Sequence, residues 1–396
     1  AVSLICLGIA GVLLAMMWTG AYPVMTAFNG MVVHDSLRLS FSFVFLFVTA
    51  MTILISTVWV EREDVPAGEY HALLMFATFG MMLMAAGNDL VVIFLGLETL
   101  SIATYVMAGL RKGDLRSNES AMKYFILGSF ASAFLLYGMA LIYGATGSTS
   151  LRQIARILES PDLAVNFPAL LLIGGAMMII GFGFKIAMAP FHVWTPDVYE
   201  GAPTPITGFM AAGPKAAAFA SFIRVFVLGF PLVAGVQASV YLHETWVTAL
   251  ALMAMLTMFV GNVAAIMQNN VKRMLAYSSI AHGGYLLVAV TAANEVATAS
   301  LLFYLLVYTV MNVGAFGVLM IVGGHGEDRN GVEHYAGFGW KEPFLGVVFT
   351  IFLLSLAGFP GTGGFMAKIF LLQGAVDSRL WTLAILLALG TVASYY

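Results

Sequence analysis

The stretch GFGFKIAMAPFH, residues 181–192, places a lysine, Lys185, inside a long apolar run. Residues 168–184, which precede it, are only Pro, Ala, Leu, Ile, Gly, Met and Phe. A continuous apolar run of this length, without alternation of polar and apolar residues, predicts a membrane helix rather than a strand of a barrel. The glycines before the lysine and Pro190 after it predict that this helix is broken next to the charge.

The composition of the whole chain indicates the same class of protein. Of its 396 residues, 61% are hydrophobic and 9% are charged, whereas soluble proteins carry about 25% charged residues. This is too little charge to cover a surface in water, so we predict an all-α polytopic membrane protein. The net charge of −3 gives no basic surface, so no nucleic-acid partner is predicted. The single cysteine, Cys6, excludes a disulfide framework within the chain.

Twelve apolar segments are long enough to span a bilayer. All of them must be helices, because lipid offers their backbone groups no other hydrogen-bond partner. The predicted segments are 1–19, 39–60, 70–87, 90–110, 120–145, 168–190, 203–230, 246–267, 274–293, 298–322, 344–375 and 379–396. Since the sequence begins and ends inside apolar runs, we expect that one further span is missing at each end.

The connections between these segments alternate between two sides of the membrane and differ in positive charge. The first side, called side one, carries Arg62, Arg111, Lys112, Arg116, Lys272, Arg273, Arg329 and Lys341. Side two carries Arg38, Arg152, Arg156 and Arg379. The positive-inside rule places side one in the cytoplasm or its equivalent. The polar stretch HVWTPDVYEGAPTP, residues 192–205, then faces that side as well.

Two segments combine glycine and proline breaks with a single lysine. The first, 168–205, contains Lys185, and the second, AGFPGTGGFMAKIF at 357–370, contains Lys368. Broken helices at matching places in two halves indicate inverted repeats around a site at the middle of the membrane. The predicted division is into N-terminal membrane helices over 1–69, a first five-helix repeat over 70–230 and a second, inverted one over 246–396.

Ionisable residues inside the predicted spans are few, and each costs about 2.5–3.5 kcal/mol at the bilayer centre. They are Glu98, Lys123, Lys185, Lys215, Arg224, His282 and Lys368. Such residues usually face the bundle interior and mark ion or proton pathways. Glu98 is the only acid well inside a span, so we predict that it pairs with Lys185. Breaking that pair would favour proton release from the desolvated ammonium, whereas a static pair would only fix helix packing.

Two further lysines are predicted to take part in proton transfer. Lys215 follows Gly213 and Pro214, and the proline frees backbone carbonyls that water or the ammonium could occupy. The alternative for Lys215 is snorkelling to an interface. Lys368 lies near the break of its own helix, where free backbone groups surround it, and its alternative is a structural role in capping a helix end.

For the other ionisable residues in or near the predicted spans, the sequence leaves both a functional and a structural interpretation open. Lys123 begins a span, so proton transfer competes with snorkelling, and Arg224 near the end of its span is predicted to be an interfacial anchor. His282 has the side chain that suits a proton relay, or it is a hydrogen-bonded core residue. His192 and Asp197 lie at the side-one mouth, where they feed protons inward or satisfy loop backbone.

The sequence gives no pattern for a metal or redox cofactor. The loop HGEDRNGVEHY, residues 325–335, collects acidic and histidine side chains, but their spacing matches no tight metal site. The glycine-rich stretch at 358–365 lacks the lysine followed by Ser or Thr of a phosphate-binding loop. Ligand patterns for haem or iron–sulfur clusters do not occur. We therefore predict that this chain itself binds no cofactor and transfers no electrons.

Several motifs together resemble the antiporter-like subunits of respiratory complex I, the proton-pumping NADH–quinone oxidoreductase. They are GFGFKIAMAPFHVWTPDVYEGAPTP (181–205), GPKAAAFA (213–220), LGLETLSIATY (95–105), AMKYFILGSFASAFLLYG (121–138), KRMLAYSSIAHGGYLL (272–287) and LSLAGFPGTGGFMAKIF (354–370). The TPDVYEGAPTP form is most similar to subunit N, the counterpart of mitochondrial subunit 2. The motifs cover nearly the whole chain in order and are highly specific as a set.

This resemblance implies roles for the matching residues. Glu98 resembles the glutamate of the family's fifth helix, and Lys185 and Lys368 resemble the lysines of its two broken helices. Lys215 resembles the lysine of the eighth helix, and Lys123 a lysine of the sixth. The family has about fourteen helices, so about twelve are expected in this chain.

The resemblance also implies a function and partners. The chain would be a proton-translocating module in the membrane arm of the enzyme, driven by quinone reduction elsewhere. Other subunits would bind the NADH, FMN, iron–sulfur clusters and quinone. The implied partners are the antiporter-like subunits M and L, the small subunits K, J, A and H, and the lipid bilayer. The implied location is the bacterial inner membrane, in preference to the mitochondrial one.

Two rival functions remain open from the sequence. One is a cation/proton antiporter with the same fold, which would show sodium-dependent transport without NADH. The other is a structural membrane subunit whose charges only hold helix packing. In that second case, substitutions that remove charge would impair assembly and leave assembled complexes pumping normally.

Overall fold

The computed structural model describes residues 1–20, 25–159, 168–230, 237–324 and 329–396. Within them, a two-stranded antiparallel hairpin joins β1 (Thr26–Ala27) to β2 (Val32–Val33), and helices dominate the rest. The helices are α1 (Val2–Trp18), α2 (Ser36–Arg62), α3 (Ala67–Ala86), α4 (Leu90–Ala108), α5 (Leu115–Thr146), α6 (Leu151–Leu158), α7 (Pro168–Ile186), α8 (Thr195–Gly201), α9 (Thr204–Phe222), α10 (Gln237–Ile266), α11 (Val271–Ala292), α12 (Glu295–Val322), α13 (Phe338–Lys341), α14 (Pro343–Ala357), α15 (Gly363–Asp377) and α16 (Trp381–Ala393). A π-helical stretch, Ile223–Gly229, continues α9, and a short 3₁₀ helix covers Val332–Tyr335.

The helices confirm an all-α polytopic membrane protein. Among the described residues, nine helices are long and apolar enough to cross a bilayer, and three shorter apolar helices accompany them. The predicted single segment 344–375 is two helices, α14 and α15, of 15 residues each. At a rise of about 1.5 Å per residue, neither would cross the ~30 Å hydrocarbon core alone.

Short polar residues in the connections fix where several of the long helices begin. The side chains of Asp35 and Asp89 accept hydrogen bonds from the first-turn N–H groups of α2 and α4, and Asp114 does the same for α5. Asn270 and Asn294 cap α11 and α12 in this way. Each cap satisfies a backbone N–H that has no partner within the helix, so the loop chemistry sets the helix register.

Both predicted breaks occur where the glycine and proline signals lie. Helix α7 ends at Ile186, and Ala187 adopts a left-handed φ of 60° before the chain turns towards α8. Helix α14 ends at Ala357, and Gly358 and Gly361 follow with φ of 89° and 90°. Glycine populates this region without a steric penalty from a side chain. The lysines of both segments therefore lie close to helix ends with free backbone groups.

The centre of the bundle is α9, all 19 residues of which are buried. Its glycines and alanines let neighbouring helices approach closely, as small residues do inside membranes. For example, a β-carbon at Gly208 would lie 3.1 Å from the Cβ of Phe316 on α12. Helices α2, α3, α11 and α12 pack around α9. Lys215, in the middle of α9, is therefore enclosed by protein rather than lipid.

Candidate functional site

Lys185 lies in the last turn of α7 with 5% of its surface exposed. Its Nζ donates hydrogen bonds to the hydroxyl of Ser101 on α4, at 2.8 Å, and to the hydroxyl of Tyr124 on α5, at 3.2 Å. The ammonium also lies 5.3 Å and 5.0 Å from the ring centres of Tyr105 and Tyr124. Hydroxyls and aromatic faces together solvate the cation where water is excluded.

The predicted direct ion pair between Glu98 and Lys185 is not formed in the structure, so that prediction was wrong. The two polar neighbours of the ammonium are Ser101 and Tyr124. Ser101 follows Glu98 by three residues on the same face of α4, and thus lies one turn closer to the end of α7. Glu98 is half-buried, and its Oε1 is buried without a hydrogen-bond partner among the described residues.

Lys215, on α9, has 1% of its surface exposed. Its Nζ donates to the backbone carbonyl of Ser279 on α11 and to the Ser279 hydroxyl, at 2.5 Å for the latter. The ring centre of Tyr308 lies 5.6 Å from the ammonium. Within the part of the chain that the structure describes, no carboxylate lies within ion-pair distance of Lys215. A buried ammonium with neutral partners alone is costly, which is typical of functional rather than structural charges.

Gly283, on α11, lies close both to the end of α7 and to Lys215. A β-carbon at Gly283 would lie 3.0 Å from the carbonyl oxygen of Ile186 and 3.9 Å from the Nζ of Lys215. Ile186 is the residue after Lys185 and ends α7. The break in α7 therefore brings its C-terminal end close to the second lysine, and Gly283, which has no side chain, lies next to both.

Lys368, on α15, has 3% of its surface exposed. Its Nζ donates to the carbonyl oxygen of Ala357, the last residue of α14, at 2.7 Å. The ring centre of Tyr285 lies 4.9 Å from the ammonium. A β-carbon at Gly358 would lie 2.9 Å from the Cδ of this lysine. The cation thus caps the broken helix, as the alternative interpretation of the sequence requires.

His282 lies between Lys215 and Lys368. Its Nδ1 shares a hydrogen bond of 2.5 Å with the hydroxyl of Tyr304, so the histidine is a hydrogen-bonded core residue. Its ring also packs against Tyr308 and Tyr285, with centroid distances of 4.9 Å and 5.5 Å. Those two rings are the ones that face the two lysines. The sequence pattern found His282, but it did not identify Tyr304 or Tyr308, which belong to another helix.

Lys123 and Asp197 form part of a charged cluster at side one. The Nζ of Lys123 lies 2.9 Å from Asp197 and 2.7 Å from Glu119. Arg273 completes the cluster, because its Nη1 lies 2.8 Å from Asp197 and 3.0 Å from Glu200. The cluster joins α5, α8 and α11. Sequence reasoning placed Arg273 on side one and missed its part here, since its partner lies 76 residues earlier in the chain.

Asp197 is held as a carboxylate by these cations. Partial burial raises the pKa of its carboxyl group, but the hydrogen bonds and charges of Lys123 and Arg273 outweigh burial and lower the pKa below the ordinary value of 3.8. His192 is half-buried, and burial lowers its pKa, so that its neutral form is favoured. Its Nδ1 has no hydrogen-bond partner among the described residues. The structure places His192 near the mouth and out of hydrogen-bond contact with Lys185, Lys215 and Lys368.

We expect Asp197→Asn to lower the stability of the protein by about 1 kcal/mol at pH 7, because exposed ion pairs contribute about 0.2–1 kcal/mol each. Since the folded-state pKa is lowered, the carboxylate stabilises the fold above the unfolded-state pKa of about 3.9. This contribution disappears as the pH falls through the folded-state value. Thermal unfolding midpoints in detergent, measured at pH 7 and towards pH 3, would detect it. The matched variant is Asp377→Asn, at an exposed aspartate on side two; an equal loss there would contradict the assignment.

Arg224 differs from its predicted role as an interfacial anchor. It lies in the π-helical continuation of α9 and has 2% of its surface exposed. Its two terminal nitrogens bind the carboxylate of Asp35 at 2.9 Å and 2.7 Å, and its Nε donates to the carbonyl of Ala85. The pair joins side-two ends of α2, α3 and α9. The partner lies 189 residues away in sequence, so only the fold brings it there.

Comparisons of this chain with known proteins indicate the same family. A family model described as NADH:quinone oxidoreductase/Mrp antiporter, TM, matches residues 87–394. The curated protein NADH-quinone oxidoreductase subunit N of Trichlorobacter lovleyi is 48% identical over 378 residues, which cover 96% of this chain and 75% of that protein. The residues that the family model matches include Glu98, Lys123, Lys185, Lys215, His282 and Lys368.

Solved structures show the same architecture. A chain of respiratory complex I from Thermus thermophilus superposes with a TM-score of 0.81 at 35% identity, covering 99% of this chain and 80% of that one. A chain of the Mrp complex from a Dietzia species gives 0.80 at 20% identity, covering 99% and 72%, and at that identity the likeness shows the fold alone. The family match over most of the length and the 48% identical relative show that this chain belongs to the NADH:quinone oxidoreductase/Mrp antiporter family.

Proposed function

We propose that this chain is an antiporter-like, proton-translocating subunit in the membrane arm of an NADH–quinone oxidoreductase. The observation that carries the proposal is that three of the four lysines buried among the described residues, Lys185, Lys215 and Lys368, lie in the bundle interior with neutral hydrogen-bond partners. The fourth, Lys272, lies in the first turn of α11 and donates to the carbonyl of Ala202. A purely structural core would gain little from three desolvated ammonium groups. Groups that lose and regain a proton, by contrast, need such an environment so that small changes decide their charge.

The proposed proton route begins at the charged cluster of Lys123 and Asp197 on side one. From there the proton reaches Lys185, and passes to Lys215 across the gap at Gly283. His282, hydrogen-bonded to Tyr304 and packed on the rings that face both lysines, connects Lys215 to Lys368. The proton then leaves on side two. His192 has the weakest support, because it lies apart from these contacts.

Glu98 is proposed to act on Lys185 without a direct bond. Its carboxylate lies one turn away from Ser101 on α4, and its buried Oε1 has no partner among the described residues. A charge at that distance in a medium of low polarity still favours the ammonium form of the lysine. A change in the charge or position of Glu98 would therefore shift the proton affinity of Lys185, which is the tuning role that we propose.

The finer features of the assembly also belong to this proposal. We propose two inverted five-helix repeats, 70–230 and 246–396, because the two broken helices occupy corresponding places in them. The helices over 1–69 precede the repeats, and about twelve helices span the membrane in this chain. The proposed neighbours are the other membrane-arm subunits, among them M, L, K, J, A and H. The proposed location is the bacterial inner membrane, with the NADH, FMN, iron–sulfur and quinone sites on other subunits.

The test is the Lys185→Ala variant in the intact complex, reconstituted in vesicles after native-gel confirmation of assembly. We expect NADH–quinone turnover and proton uptake to fall together by about a hundredfold, because both require the same proton carrier. Lys341→Ala is the control, since Lys341 is an exposed lysine on side one and lies outside the route.

Two results would contradict the proposal in different ways. Normal pumping by assembled Lys185→Ala complexes would make the lysine structural. Sodium-dependent proton movement without NADH, retained in vesicles that contain the unmodified complex, would favour the cation/proton antiporter instead.

A further inference from the structure

Trp194, in the loop between α7 and α8, stacks on the tyrosine that binds Lys185. The rings of Trp194 and Tyr124 lie 4.6 Å apart, with 9° between their planes. Phe184, in the last turn of α7, also stacks on Trp194, with ring centroids 4.9 Å apart and 25° between the planes. Only 2% of the Trp194 surface is exposed. The indole therefore fills the space between α5 and the last turn of α7.

Trp194 also binds the broken end of α7 through its ring nitrogen. Its Nε1 donates to the carbonyl oxygen of Phe184, the residue before Lys185, at 3.0 Å. Carbonyls in the last turn of a helix lack partners within that helix; this one accepts the N–H of Ala187, just beyond the helix, and the indole N–H is its second donor. A single side chain thus contacts both the backbone that carries Lys185 and the tyrosine that accepts its hydrogen bond.

The segment that carries Trp194 is tied to the side-one charges. Trp194 is the N-cap residue of α8, and Asp197 lies in the first turn of that helix. Asp197 binds Lys123, which immediately precedes Tyr124 on α5. Two successive residues of α5 are therefore held by the same short segment, one by a charge pair and one by a ring stack. A shift of α8 moves both contacts together.

The orientation of Tyr124 depends on these packed rings. Trp194 covers one face of the tyrosine, and Tyr105 meets it edge-on at 4.6 Å and 84°. Its hydroxyl is then held 3.2 Å from the Nζ of Lys185. If Trp194 lost the stack, the tyrosine could rotate, and among the described residues the Ser101 hydroxyl alone would remain bonded to the ammonium.

We propose that Trp194 is a positioning residue for proton transfer: its indole holds the Tyr124 hydroxyl against Lys185 and transmits displacements of α8 to that lysine. The inference rests on the proposed role of Lys185 in the proton route. The ordinary alternative is that Trp194 only fills the core. The two differ in one respect, because a positioning residue acts through the Tyr124 hydroxyl, whereas a core-filling residue acts independently of it.

The test is a double-variant cycle in the assembled, reconstituted complex, with turnover and proton uptake measured for each member. We expect Trp194→Leu and Tyr124→Phe each to lower both rates by about tenfold, as small displacements of a reacting group do. The combined variant is expected to be no slower than Tyr124→Phe alone, because the hydroxyl that Trp194 positions is already absent. Independent effects would instead multiply to about a hundredfold.

Two additional variants separate positioning from packing. Trp194→Phe keeps a stacking ring and is expected to recover most of the rate that Trp194→Leu loses. Trp246→Leu removes a comparably buried indole, which packs on Phe226 and Phe230 at 5.7 Å and 6.2 Å, and is expected to leave the rates of assembled complexes near normal.

The possible outcomes are distinguishable from those for the proposed function. Effects that multiply in the cycle, or an unchanged rate in Trp194→Leu, would overturn the positioning role of Trp194. The proposed function would still stand in that case if Lys185→Ala is defective. Normal pumping by Lys185→Ala would overturn both. If Trp194→Leu does not assemble, Trp194→Met, whose flexible chain fills irregular space, takes its place in the same cycle with the same expected results.

Discussion

Lys215→Met is expected to lower turnover and proton pumping of the assembled complex by about a hundredfold, the scale of losing a proton-transfer group. Methionine keeps a linear side chain of similar length, and it removes the charge together with the hydrogen bonds that the ammonium donates to Ser279. The ammonium of Lys215 is enclosed by α9, α11 and α12, and its partners are the carbonyl and hydroxyl of Ser279. Without a protonatable group there, the route between Lys185 and His282 is interrupted.

The same variant should not weaken the fold. A buried charge with only neutral partners is costly to desolvate, and its replacement by an apolar side chain of similar volume is often neutral or stabilising. We therefore expect the thermal unfolding midpoint of the Lys215→Met variant to hold or to rise. The combination of lost pumping and retained stability is the signature of a functional charge.

The opposite combination would refute the role of Lys215. A fall in the unfolding midpoint, with normal proton uptake per turnover in the complexes that do assemble, would make this lysine a structural group. Lys341→Met, at the exposed lysine of α13, is the matched control for the chemical change. Neither the unfolding midpoint nor the proton uptake per turnover should change in that variant.

Gly364→Ala is expected to destabilise the protein by about 3 kcal/mol, the upper range for forcing an atom into a packed core. A β-carbon at Gly364 would collide with the backbone carbonyl of Ser355 on α14, which cannot rotate away as a side chain would. The N–H of Gly364 also donates a hydrogen bond to the Ser355 hydroxyl at 3.1 Å, which holds the two residues close together. Helix α15 would therefore have to move away from α14.

That movement would reach Lys368, which lies four residues later on the same face of α15. Its hydrogen bond to Ala357 at the end of α14 would be broken or lengthened. We expect reduced assembly on native gels and little pumping by the complexes that remain. Gly144→Ala is the control, since a β-carbon at Gly144, near the end of α5, would meet no atom within 4 Å. Equal behaviour of the two variants would show that the α14–α15 junction tolerates the displacement.

The sequence alone determined the class of the protein, the sites of the helix breaks and the identity of three buried lysines, Lys185, Lys215 and Lys368, whereas it placed the fourth, Lys272, in a connection. Composition excluded a soluble protein, because so few charges cannot cover a surface in water. The breaks after Ile186 and Ala357 follow from local glycine and proline chemistry, which acts within a few residues. A charged residue within a predicted span is recognised from the sequence, because lysine is costly in lipid and therefore rare in membrane helices.

The partners of those charges were decided only by the tertiary structure. The sequence predicts Glu98 as the partner of Lys185 because opposite charges attract, yet Ser101 and Tyr124 occupy that position. Glu98 and Ser101 lie one turn apart on α4. The hydrophobic periodicity of a sequence does not define at which of its turns one helix crosses another. Arg224 likewise binds Asp35, 189 residues away.

The aromatic environment of the lysines had no signal in the sequence for the same reason. Tyr304 and Tyr308 resemble any other apolar helix residues until α12 is packed against α11, and Trp194 is one of many aromatic residues until α8 meets α5. Local sequence sets where each helix begins, breaks and carries charge. Which side chains then solvate a buried ammonium depends on helix crossings between distant segments, and those are fixed only when the whole bundle is packed.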